Sequence, residues 1–315
     1  MLDIWSLAKE RYQNAKQRPI DSEFDYKAGE SEQVKRNEAH VLICGNKQCG
    51  KTTLIQRVLE VNENPRPTIA LEYKFGRSLR NNVKELGHFW ELGGYSLLSN
   101  LLNVPLSTRN IETTSIFIML DLSKPELIWN TMESLLESAR RRIDEILREI
   151  NRANSNLHDQ LLQKAKHRIG SHKDIDAMRV FPIPLVFIGC KYDEFRNLDT
   201  DSRRTIAHTL RFVAHFHGAS LHFHSNRMEN LVSRAKALIG HFAFRTSFPK
   251  GVSTDFSKPL AIPFGGDLFE DIGLPVDNIS CSNIRSVNAY ELWKDNFCDK
   301  FPQIVHISRI VVYKT

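Results

Sequence analysis

The chain has 315 residues and a net charge of +6, with 41% apolar and 25% charged side chains. That is the make-up of a globular protein of one large domain or two small ones. Its apolar runs are all shorter than the ~18 residues a membrane span needs, and its basic residues alternate with acidic ones without forming an aromatic-laced basic tract, so neither membrane insertion nor a nucleic-acid partner is expected. Five cysteines without a C-x-x-C pair, and a first stretch lacking the layout of a secretory leader, predict reduced thiols in a cytoplasmic protein.

In chain order, Ile4, Trp5, Ala8 and Tyr12 share one helical face and predict a short amphipathic helix, with a polar, periodless linker reaching residue 38. His40 to Cys44 is an apolar run that predicts a buried parallel strand, and residues 53–59 predict the helix that follows. Between them stand Gly45, Asn46, Lys47, Gln48, Cys49, Gly50, Lys51 and Thr52, which satisfy G-x-x-x-x-G-K-[ST]. In such a P-loop the glycines let backbone N–H groups face an anion, and the helix N-terminus adds partial positive charge. Lys51 is then expected to reach the β- and γ-phosphates, Thr52 to ligate Mg²⁺, and Thr53 to belong to the same nucleotide-binding set.

Pro65 and Pro67 force an extended loop before Thr68. Thr68 stands where a small GTPase places the threonine that reaches Mg²⁺ and the γ-phosphate. Leu71 to Phe75 and Glu85 to Leu92 predict a hairpin. After it, a GTPase carries Asp-x-x-Gly and then glutamine, to hold the metal's water shell and orient the attacking water. Here the positions read Glu91, Leu92, Gly93, Gly94 and Tyr95. Glu91 remains a candidate for Mg²⁺ and Gly94 for the nucleotide, but a phenol cannot both donate and accept as a carboxamide does, so hydrolysis is expected to be weak or absent.

Ser115 to Asp121 predicts a central strand, and apolar positions from Ile128 to Ile150 recur at three- and four-residue spacing over six or more turns. A continuation through Leu157, Leu161 and Ile169 predicts a second arm. This helical insertion, about residues 125–178 and leaning basic from Arg140 onward, is expected to serve a partner. Pro184 to Gly189 predicts another strand, delivering Cys190, Lys191, Tyr192 and Asp193. The guanine-reading motif is Asn-Lys-x-Asp: Lys191 would pack over the base, Asp193 would accept from its edge, and Cys190 replaces the asparagine that ties this loop to the P-loop. Ser225, after a strand through residues 219–224, fits the last base-contacting loop. His215, His217, His222 and His224 lack acidic or sulfur partners at ligand spacing, so no zinc is expected there, and two of them are expected to meet solvent or a neighbouring helix. A closing helix is predicted for 228–244, turn-rich chain beyond 245, and a last helix through Leu292, Trp293 and Phe297. The expected fold is thus α/β, a Ras-like P-loop domain over 39–244 with a mostly parallel sheet flanked by helices. A helical insertion interrupts it, and an irregular extension over 245–315 wraps the domain or docks to a partner.

Several stretches taken together resemble the dynein light intermediate chain family, in the branch serving cytoplasmic dynein 2, the motor of intraflagellar transport. They are residues 45–53, 71–73, 88–94, 120–125, 131–136, 191–193, 209–215, 218–220 and 291–294. The resemblance runs from about residue 1 to 302. It implies a non-catalytic subunit that binds and stabilises the dynein 2 heavy chain beside the other dynein 2 subunits, with the heavy chain hydrolysing ATP. It further implies indirect association with intraflagellar transport trains, and a place in the cytoplasm, the ciliary axoneme and basal body, and the cytoskeleton. GTP or GDP with Mg²⁺ is the cofactor such a fold would take. A slow Ras-like GTPase switch and a static nucleotide-stabilised scaffold stay open as alternatives. Residues 303–315 depart from the family, whose members usually continue in a charged, helical tail.

Overall fold

A computed structural model describes residues 38–80, 83–94, 96–275 and 289–304. The amphipathic helix and linker predicted for residues 1–37, Tyr95, and residues 305–315 lie outside the described residues. Among the described residues, seven strands form one sheet in the order β2-β3-β1-β4-β5-β6-β7. In chain order these are β1 (Glu38–Gly45), β2 (Leu71–Arg80), β3 (Val83–Leu92), β4 (Thr114–Asp121), β5 (Leu185–Cys190), β6 (Ser220–Phe223) and β7 (Ala261–Ile262). The pairs β1–β3, β1–β4, β4–β5 and β5–β6 are parallel, while β2 runs antiparallel to β3 and β7 to β6.

The burial patterns follow from this placement. All eight residues of β4 and all six of β5 are buried, because a central parallel strand is covered on both faces. β3 alternates buried and part-exposed positions, as a strand in a peripheral hairpin does. Both hairpin strands run longer than their apolar patterns predict, through Gly76, Arg77 and Ser78 on one side and Val83 and Lys84 on the other. β1 likewise begins earlier than expected, taking Glu38 from the predicted linker.

Helices cover both faces. One face carries α1 (Lys51–Leu59) and, from the far end of the domain, Glu229–Phe244; Leu54, Ile55, Leu238 and Ile239 pack there on Val41, Ile43, Phe117 and Ile188. The other face is covered by α2 (Ile128–Ala153), α3 (Ser155–Ile169) and α4 (Thr200–Phe216), with α5 the helix Glu229–Phe244 just described and α6 (Ala289–Lys300) closing the layer. α2 is the predicted long helix; Trp129, Met132, Ile143 and Ile146 are fully buried beneath it. Asn154 separates it from α3 by accepting the Leu157 N–H at 3.1 Å, an N-cap bond. Two arginines of the basic run turn inward. Arg140 lies 4.3 Å from the Phe181 ring centroid and donates to the Arg179 carbonyl, and Arg142 donates to the Leu106 carbonyl.

The segment beyond residue 245 folds back on the domain. In α6, Trp293 stacks on Phe212 at 5.0 Å and Phe297 meets Trp129 at 5.9 Å, both nearly excluded from water. Lys294 pairs with Glu133 of α2 at 2.8 Å. Just past α6, the side-chain Oε1 of Gln303 accepts from the N–H groups of Trp129 and Asn130 at 3.0 and 3.3 Å. The first turn of α2 thus receives its cap from a residue more than 170 positions away, satisfying donors that every helix start leaves unpaired.

Candidate nucleotide site

The P-loop follows β1 directly, and its shape is enforced by two glycines. A Cβ on Gly45 would sit 1.9 Å from the Met119 carbonyl oxygen, and Gly50 holds φ +100° as the residue before α1. α1 has no side-chain cap and no acidic residue in its first turn, which leaves its leading N–H groups available to an anion. Lys51 is buried, its ammonium folded over the loop to donate to the carbonyls of Asn46 and Gly45 at 2.8 and 3.2 Å. Gln48 takes φ +60° and, with Cys49 and Gly50, borders the base cleft.

Two members of the predicted cradle point elsewhere. The Asn46 N–H donates to the Met119 carbonyl at 3.2 Å, extending the sheet instead of facing an anion. Its side chain donates to Thr131 of α2 and accepts from the Asp121 N–H. Thr53 lines a separate surface groove with Gln56, Arg57 and Lys236. The sequence could not separate these, because the motif fixes which residues form the loop and not which way each side chain leaves it.

Of the expected metal ligands, two come together. The Thr52 hydroxyl donates to Glu91 Oε1 at 2.7 Å, while Glu91 Oε2 is buried with no hydrogen-bond donor. A buried carboxylate oxygen without a partner is costly unless a cation balances it, so Thr52 and Glu91 fit Mg²⁺. Thr68 is not brought to them; its hydroxyl donates to Glu72 at 3.1 Å. Gly94 packs on the P-loop so closely that a Cβ there would stand 2.4 Å from the backbone of Lys47, and Gly93 donates to the Ala70 carbonyl.

The base-side loops converge on a cleft of 160 Å³ lined by Gln48, Gly50, Lys191, Asp193, Asn226 and Arg227, among others. Lys191 adopts φ +58°, and its ammonium pairs with the buried Asp121 carboxylate at 2.7 Å. Against the desolvation of partial burial, that bond raises the lysine's pKa. Asp193 has both oxygens engaged, by Ser225 at 2.5 Å and Arg227 at 2.9 Å. Burial pushes its carboxyl up, but the Ser225 bond and the Arg227 charge outweigh it and hold the group below the usual carboxylate range. A guanine edge would displace Arg227, whose side chain is 76% exposed, and leave Ser225 in place.

Cys190, where a guanine-reading loop carries asparagine, is buried at the end of β5. Its thiol donates to the Ile188 carbonyl at 3.5 Å, and burial pushes its pKa well up. Asn226, beside Ser225, takes a bond from His224 at 2.9 Å and lies against Gly50. Asp121 and Asn226 were missed because their roles depend on contacts between chain ends of separate strands.

His215, His217, His222 and His224 are all buried; of the two outcomes expected for the strand pair, solvent or a neighbouring helix, His224 takes the second, its Nδ1 bonding the Leu231 carbonyl of α5 at 3.4 Å. His215 Nε2 bonds Asp174 at 2.8 Å, a carboxylate 41 positions away in sequence. No helix among the described residues is long and apolar enough to cross a membrane.

Residues 25–180 match the family model "Dynein light intermediate chain (DLIC)". Cytoplasmic dynein 2 light intermediate chain 1 of Danio rerio is 39% identical over 304 residues, 95% of this chain and 83% of that one. The human protein of the same name is 38% identical over 269 residues, covering 84% and 76%. The chain belongs to the dynein light intermediate chain family. Among solved structures, the conserved domain of a dynein light intermediate chain superposes with a TM-score of 0.58 at 16% identity, over 85% of this chain and 93% of that domain. The two share a fold, and in this chain the P-loop, Glu91 and the Lys191–Asp193 turn lie at the C-terminal ends of the strands, where α/β sheets bind ligands.

Proposed function

We propose that this light intermediate chain is a non-catalytic subunit of the cytoplasmic dynein 2 motor that binds and stabilises the heavy chain for retrograde intraflagellar transport and cilium assembly. The observation that carries the reading is the match to cytoplasmic dynein 2 light intermediate chains along 95% of the chain. In this role the protein acts at the cytoskeleton, in the cytoplasm and along the cilium, and does no chemistry itself.

The P-loop serves architecture. A guanine nucleotide, GDP or GTP, would lie with its phosphates at the α1 N-terminus, Lys51 swinging from its loop carbonyls to them. Thr52 and Glu91 would hold Mg²⁺, which supplies charge neutralisation at the phosphates. Lys191 and Asp193 would take the base. Turnover is disfavoured because the Thr68 hydroxyl is spent on Glu72 and the water-orienting position is a tyrosine. The nucleotide would therefore stabilise the fold by mass action. The rival, a slow GTPase switch, draws on the intact Thr52–Glu91 pair.

Two experiments test this. Affinity purification of the full chain from ciliated cells is expected to recover a dynein heavy chain, and its absence would refute the assignment. Denaturing the purified chain is expected to release guanine nucleotide, with loss in Lys51→Ala. Multiple turnover of GTP at about 1 s⁻¹ or faster would establish the switch instead.

A further inference from the structure

At the opposite end of the sheet from the P-loop, three side chains converge that the nucleotide site does not use. β1 and β3 run parallel with His40 level with His88, and Glu38 lies two residues before His40, on the same strand face. The two imidazole rings stack at 4.4 Å with 10° between their planes. His88 Nε2 stands 3.7 Å from Glu38 Oε2, and one ligand atom from each of the three residues lies within 4.8 Å of the others. His40 Nδ1 and His88 Nε2 are both buried without a hydrogen-bond partner. Two such nitrogens on a pair of stacked rings carry a desolvation cost that buried polar groups ordinarily avoid. His88 Nδ1 is bonded to the Tyr73 hydroxyl at 2.8 Å. With the proton on Nδ1 and the phenol oxygen accepting it, Nε2 presents its lone pair to the cluster, which is how outer-shell groups orient metal-ligating histidines.

We propose that Glu38, His40 and His88 form a Zn²⁺ site that fastens the entry of β1 to β3. Two imidazoles and a carboxylate are a ligand set that zinc accepts, with a fourth tetrahedral position left for water or a partner's side chain. Mg²⁺ and Ca²⁺, which want oxygen ligands, are disfavoured. A second cluster, His172, Asp174 and His215, has comparable spacing but no spare lone pairs on its rings' inward nitrogens. His172 Nδ1 accepts the Asp174 N–H, its Nε2 bonds the Asp267 carbonyl, and His215 Nε2 is held by Asp174, which also accepts from the Phe269 N–H. That cluster is a finished hydrogen-bond network; the Glu38 cluster is not.

The test uses the full chain without a histidine tag, stripped with EDTA and titrated with ZnCl₂ against a chromophoric chelator. One Zn²⁺ per chain is expected, with a rise in melting temperature that Mg²⁺ in the absence of nucleotide does not produce. Combining His40→Gln with His88→Gln abolishes binding, and Tyr73→Phe weakens it by about 10- to 100-fold. Glu38→Gln, at a part-exposed position that leaves the core intact, weakens binding at least tenfold with an unchanged circular dichroism spectrum. His215→Gln leaves stoichiometry and affinity unchanged. No stoichiometric Zn²⁺, binding that survives the double histidine change and Glu38→Gln, or binding lost in His215→Gln would each overturn the proposal.

Discussion

Trp293 and Phe297 of α6 are sealed against Phe212 and Trp129 in apolar contact, whereas Lys51, Lys191 and Asp193 at the strand ends are held by carbonyls, a buried carboxylate, a serine and an exposed arginine. The two regions meet through Asn46, which belongs to the P-loop yet donates to Thr131 of α2. Apolar burial contributes to stability in proportion to area, while polar and charged contacts mostly repay their own desolvation. The difference teaches that the helical layer can hold the domain's shape without help from the charged loops at the strand ends.

Breaking the apolar side should cost most. Phe297→Ala, fully buried, is expected to destabilise by about 3–5 kcal/mol, read from urea unfolding; a loss under about 1 kcal/mol would erase the contrast. Next comes the ligand. GDP at a hundred times its Kd should stabilise the wild type by about 2.7 kcal/mol and Lys51→Ala by nothing measurable, as followed by thermal shift.

Acid should sharpen the comparison from within the core. Burial, helped by Arg140 near His217 and by Arg234 near His222, pushes both imidazoles down to about 3. Unfolded, they titrate near 6.5, so between about pH 6.5 and 3 the unfolded chain binds more protons. Their contribution is complete above pH 6.5 and falls as pH drops through that window, by about 2 kcal/mol each from pH 7 to pH 5. Unfolding free energies measured at the two pH values should show it, and His222→Gln should flatten the slope. The smallest effect is the remote cap. Gln303→Ala should cost about 1 kcal/mol, and an equal loss in a Trp293→Ala background would show that cap and α6 act independently.

The sheet was legible because central parallel strands write themselves as unbroken apolar runs, as residues 115–121 and 184–189 do. The long helix was legible from the three- and four-residue spacing between Ile128 and Ile150. The hairpin was read short because Gly76, Arg77 and Ser78, near its exposed edge, carry no apolar alternation. At the site, the motif gave Lys51 and Thr52 their places, and Glu91 followed from its distance to Gly94. Asp121, Asn226 and the Glu38–His40–His88 cluster were not legible, since each depends on neighbours from another strand and local spacing does not encode strand order. Asn46 and Thr53 show the converse, fitting a pattern whose geometry sends them elsewhere.

The Gln303 cap sets an order of events during synthesis. α2 is made when less than half the chain exists, yet the groups that close its first turn are supplied by a residue translated some 170 positions later. On a ribosome adding about 5–20 residues per second, the start of that helix waits roughly ten seconds or more for its partner. α6 and Gln303 must dock together before the layer is finished. Until then Trp129 lacks the Tyr290 and Phe297 rings that cover it in the finished fold.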